Sequence, residues 1–182
     1  MDNQFKDLNT PIAISDIDFR IQSINNGKYA TILAYKDARV DMNRLDEVVG
    51  VGYWKREHFD NNTRCRVSVY NKEIKEWVCK EDVGTASQTE AEKGLASDSF
   101  KRACFNLGIG RELYDYPVIS IRLKDNEVKE TGRDRPKYQA TFDLKLKDWK
   151  WISHFEGNKI TGLAAQDQSG EVRFKWGSFP KK

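Results

Sequence analysis

The sequence predicts an α+β chain, an antiparallel β-meander sheet packed against one long helix and followed by a β-rich basic C-terminal extension. Three observations predict it. The runs YWKREHF (53–59), RCRVSVY (64–70) and EWVCKEDV (76–83) are β-rich and separated only by the turns DNNT and NKE. A helical segment follows them, opened by SQTEAEKG and stopped near Gly108. Beyond Tyr116 lie four more β-rich runs, and from residue 129 the chain turns basic.

Taken in order, residues 3–9 suit a short helix that ends near Pro11. IDFRIQSI (17–24) and KYATILAY (28–35) flank NNGK, and Asn-Gly between two such runs predicts a hairpin. DARVDMNRLDEVVG (37–50) reads as a helix, with Val40, Leu45 and Val48 at helical spacing and Gly50 as its C′ cap. After the meander, Ser87 with Glu90 three residues on predicts a capping box that opens the long helix. The tail predicts strands at 118–124, 140–146, 159–166 and 172–177, with KETGRDRPK (129–137) as a charged linker. This divides the chain into a core domain, 1–128, and an extension, 129–182.

Composition limits the function. Hydrophobic content of 38% against 32% charged is that of a globular chain, and 182 residues suffice for a buried core. There is no apolar run of about 18 residues, so no membrane span is expected. The start MDNQFKDLNT is polar and unlike a signal peptide, so a cytoplasmic protein is expected. Three scattered cysteines and two histidines give no metal-ligand spacing, so reduced thiols and no metal are expected. The extension holds 12 Lys/Arg against 7 Asp/Glu, while residues 1–128 carry a net charge of −2. A polyanion site in the core must therefore be a local cluster.

The long helix supplies one. Ala96, Phe100, Ala103 and Leu107 fall within roughly 60° of one another and form its buried stripe. Lys101 and Arg102 fall on the opposite half. The plain reading is a solvated face; the functional one is two cations on a rigid mount, aimed at an anion. GIGR (108–111) is no phosphate loop, because its glycines leave a helix where a Walker loop would enter one. Glu81 and Asp82 with Glu90 and Glu92 could form a two-metal nuclease cluster, or simply an acidic turn and a capping box. Trp149, Trp151 and Trp176 sit among cations, where they stack bases or fill a sheet.

Three motifs occur together and in order: YKDARVDMNRLDEVVGVGYW (35–54), KEDVGTAS (80–87) and EAEKGLASDSFKRACFNLGIGREL (90–113). Over about residues 5–116 the chain resembles the Rad52/Rad22 superfamily of single-strand annealing proteins, most of all its phage branch, often called Sak. The resemblance implies an oligomeric ring of identical subunits. Single-stranded DNA lies in its outer positive groove, phosphates inward and bases exposed. It implies annealing in recombination and repair without ATP or metal, and no enzymatic activity. Lys101 and Arg102 match the family's phosphate-contacting pair, and Arg39 matches the basic residue that opens the short helix. Where eukaryotic relatives carry a further arginine this chain has Cys104 and Phe105, so that load falls to Arg111 or Lys93. Arg64 and Arg66, with Arg56 nearby, are candidates to extend the groove. The ending NKITGLAAQDQSGEVRFKWG looks like that of some phage members, and the basic extension is expected to touch DNA as well. The expected partners are single-stranded DNA, further copies of the chain, and a single-strand binding protein of host or phage. The rival readings are a strand protector that buries the bases, and the metal-dependent nuclease.

Overall fold

The computed structural model describes residues 5–85, 91–132 and 136–180, with the backbone alone for residues 91–93. In chain order the strands and α-helices are β1 (Ile17–Asn25), β2 (Tyr29–Lys36), α1 (Ala38–Val48), β3 (Trp54–Phe59), β4 (Arg64–Asn71), β5 (Glu76–Val83), α2 (Ala91–Leu107), β6 (Ile119–Arg122), β7 (Val128–Glu130), β8 (Tyr138–Ala140), β9 (Lys150–Glu156), β10 (Lys159–Gln166) and β11 (Val172–Gly177). The fold is α+β with antiparallel sheets. It groups into two compact units, Met1–Ile12 with Lys36–Arg111, and Ala13–Tyr35 with Glu112–Lys182. The linker at 129–137 lies inside the second of these.

In the first unit, β3, β4 and β5 form the expected meander, with Arg56 opposite Val67 and Val67 opposite Lys80. Alternation along β4 sends Cys65, Val67 and Val69 to one face, where all three are buried. That face packs on Phe100, Ala103 and Cys104 of α2, on Leu45 of α1 and Val49 at its end, and on Leu8 and Ile109. Each Val, Leu, Ile or Phe among them contributes roughly 1.5–3 kcal/mol by leaving water. Asp37 caps α1 by accepting from the Arg39 backbone N–H at 2.8 Å. Gly84 ends β5 hard against α2: a Cβ there would stand 2.6 Å from Ser99 N and 2.8 Å from Leu95 O, both helix backbone. Only glycine permits that approach.

The stripe of α2 differs in detail from the expectation. Phe100 and Ala103 are fully buried, and so are Ser99 and Cys104, whereas Ala96 and Leu107 are half-buried. The buried face is thus turned toward Cys104, because α1 packs on that flank. Ser87 and Glu90 lie outside the described residues. Among those described, the N-terminal segment forms only a 3-10 turn, Lys6–Asn9.

In the second unit β2 lies between β1 and β6, and β10 between β9 and β11. The predicted hairpin is present: Asn26 and Gly27 both have positive φ, and Lys28 N donates to Asn25 O at 3.0 Å. One expectation fails. Of residues 140–146 only Ala140, the end of β8, is in a strand. Thr141 Oγ1 donates to Asn126 O and accepts from the Asp143 N–H, so a side chain has replaced the ladder and the segment turns. The strand lies further on, at β9, whose Trp151 stacks on Phe19 with centroids 3.6 Å apart. Trp149, just before it, is buried and carries Arg173 over its ring at 4.9 Å. Arg173 in turn binds Glu127 at 2.8 Å and Asp167 at 3.2 Å. Two of the tail's tryptophans are therefore packing residues of this unit; Trp176 is exposed.

Candidate nucleic-acid interface

The Lys-Arg pair of α2 divides its two cations between two neighbours. Lys101 lies on the flank that faces α1, where its charge is felt by Asp37, Asp41 and Lys36. It is half-buried and makes no hydrogen bond or ion pair among the described residues. Arg102 lies on the flank that faces β5, and its Nε stands 3.4 Å from Asp82 Oδ1. Asn106, one turn on, donates to Asp82 Oδ2 at 3.2 Å and to Glu81 O at 2.9 Å, which fixes this end of α2 to β5.

Beneath Lys101 lies a buried ion pair. Lys36, at the end of β2, is 2% exposed and its ammonium meets the fully buried Asp41 of α1. The Phe105 ring covers that ammonium at 4.5 Å. So Phe105 shields a cation, and its neighbour Cys104 lends a hydrogen bond to Asp41. Burial lowers the Lys36 pKa and raises that of Asp41 to about 6. Burial also pushes the Cys104 thiol well up, so it stays protonated and unreactive. Nothing in the sequence spacing announces this pair.

Arg39 opens α1 with its side chain 79% exposed, and its Nε bonds Asp37 at 2.9 Å. That bond holds the Asp37 carboxyl below its ordinary pKa, and Lys101 adds to the effect. Arg39 and Lys101 therefore act on one carboxylate. Arg56 projects from β3 toward the helices, over Phe100 at 5.1 Å and against Met42 Sδ at 3.9 Å. Arg111 closes α2: its guanidinium donates to Phe105 O at 2.9 Å and to Asn106 O at 3.3 Å. It caps the helix's negative end. The Lys93 side chain lies outside the described residues.

Arg64 and Arg66 are elsewhere. Both point to the face of the meander opposite α2 and clamp Glu81, at 2.9 and 2.5 Å, which lowers its pKa through the Arg66 bond first and the Arg64 bond second. They do not continue a path from Arg56. The same alternation separates Glu81 from Asp82, which face opposite sides of β5. Glu90 and the Glu92 side chain lie outside the described residues, and among those described no three His, Cys, Asp or Glu residues are placed to hold a metal.

The arrangement defines a class: an α+β protein that carries Arg39, Lys101 and Arg102 on its helices α1 and α2. The Rad52/22 family double-strand break repair protein model matches residues 2–132, and the chain belongs to that family. No curated protein matches it. Among the described residues no helix is long and apolar enough to cross a membrane.

Proposed function

We propose that this chain binds single-stranded DNA along its helical side and anneals complementary strands, without ATP and without covalent chemistry. It works as a ring of identical subunits in recombination, and its origin is a phage. The observation that carries the reading is Lys101, an ammonium with no partner among the described residues, mounted on a packed helix next to Arg39 and Arg102. A phosphate is an anion that such an ammonium can take. Neutralised phosphates no longer repel a second strand, and outward bases sample register until pairing zips.

The deciding experiment measures pairing of two labelled complementary oligonucleotides in EDTA without ATP. Acceleration above the protein-free rate is expected. Slowed pairing with tight binding would instead mean a protector that hides the bases, and strand loss that appears only when Mg²⁺ is restored would mean a nuclease. Replacing Lys101 and Arg102 by Ala should weaken binding alike for all sequences and reduce the slope of log affinity against log salt by ~0.7 per lost contact. An unchanged slope would return the pair to a solvated helix face.

A further inference from the structure

The face of the β3–β4–β5 sheet turned away from α2 is a second, differently built surface. Its residues form transverse rows. Tyr53, Tyr70 and Trp77 make the first: Tyr70 N donates to Tyr53 O at 2.8 Å, and Tyr70 is in register with Trp77. Their rings are neighbours, with centroids 6.2 Å apart for the tyrosines and 5.5 Å for Tyr70 and Trp77. Tyr53 and Trp77 are each 43% exposed. The next row is Lys55, Ser68 and Cys79. Arg66 follows between Glu57 and Glu81, and Arg64 beyond it. The face thus carries Lys55, Lys72, Arg64 and Arg66; Glu81 holds both arginines, and Asp60 holds Arg64 as well, at 3.1 Å.

Each exposed ring holds a lysine. Lys72 Nζ lies 4.2 Å from the Tyr53 centroid and Lys55 Nζ 5.0 Å from that of Trp77. A row of exposed rings with ammonium groups on them fits a strand that presents flat bases and phosphates together. The magnitudes allow the exchange. An exposed cation–π contact is weaker than a base stacked on an aromatic side chain. A base therefore displaces the lysine, which swings to the adjoining phosphate.

We propose that the Tyr53–Tyr70–Trp77 row stacks the bases of a single nucleic-acid strand, with Lys55 and Lys72 on its phosphates. The proposal rests on the single-strand reading above, but it places these bases against rings on the opposite face from Lys101. Binding of an oligothymidylate and of an abasic strand of equal length tests it. Wild type should prefer the thymidylate. The Tyr53→Ala/Trp77→Ala variant should lose about tenfold or more of that preference and keep its affinity for the abasic strand. Tyr53→Phe/Trp77→Phe, which keeps both rings, should behave as wild type and separates stacking from any loss of folding. The Lys101→Ala/Arg102→Ala variant should weaken both strands together. An alanine variant that keeps the preference overturns the proposal while leaving the helical side intact. If that variant also sediments as a smaller species, the face is a contact between copies of the chain. Wild type that binds neither strand overturns the single-strand reading itself.

Discussion

Lys36 and Asp41 concentrate the electrostatic risk of the first unit in two side chains. Taking both charges out of water costs several kcal/mol each, offset only by their mutual attraction. Removing one strands the other, so Lys36→Met or Asp41→Leu alone should cost about 3–5 kcal/mol in urea unfolding. The double substitution should recover most of that. A double variant as unstable as the worse single would mean that packing at these positions, not charge, is what the fold needs. The pair also has a pH signature. Burial pushes the Asp41 carboxyl up to about 6, against about 3.9 in an unfolded chain. Between those values the folded chain binds more protons at this site. Asp41 therefore adds most stability below about pH 4, and the gain is lost as pH rises through about 6. The melting temperature of wild type minus that of Asp41→Asn should fall from pH 4 to pH 7. A flat difference would mean that the carboxyl does not titrate there.

At the scale of elements, α2 depends on how its end is closed. Arg111 uses its guanidinium on the carbonyls of Phe105 and Asn106. Arg111→Lys keeps the charge but loses the two-pronged geometry, so it should lower stability by roughly 0.5–1 kcal/mol. Single-strand affinity and its salt slope should stay at wild-type values. A reduced slope at full stability would make Arg111 a phosphate contact after all. Much at this scale was legible in the sequence. The meander, the Asn-Gly hairpin and both helices follow from alternation, turn residues and helical spacing, which are local signals. What escaped depends on partners far away in the chain. Lys150–Glu156 is a strand because Lys159–Gln166 pairs with it and Phe19 covers Trp151; read alone, KDWKW is a set of aromatics among cations. Residues 140–146 alternate well, yet the ladder stops at Ala140, where the Thr141 hydroxyl binds Asn126 and the segment turns. The candidate site was legible in the same uneven way. Motifs located Lys101, Arg102 and Arg39, but only the sheet's register shows that Arg64 and Arg66 face away from them.

For the whole molecule, the extension after residue 132 is not an appendage. It supplies Trp151 to Phe19 and Arg173 to Glu127 and to the Arg122 carbonyl. A chain cut at about Gly132 should therefore lose cooperative melting of the second unit, and it is a poor test of whether the extension touches DNA. A truncated chain that melts as sharply as the full one would show that β1, β2 and β6 hold together unaided. The two units are also interleaved along the chain, which passes between them after Ile12, Tyr35 and Arg111. Ala30 pairs with Ile121, so during synthesis the β1–β2 hairpin leaves the ribosome and waits for all of the first unit to be made. At about 5–20 residues per second that delay is roughly 5–18 s. Throughout it, Ile17, Phe19, Ala30 and Ile32 have no cover, and β2 has an open edge. The nascent chain thus carries a timed hazard, and the first unit has those seconds to close before the second one can.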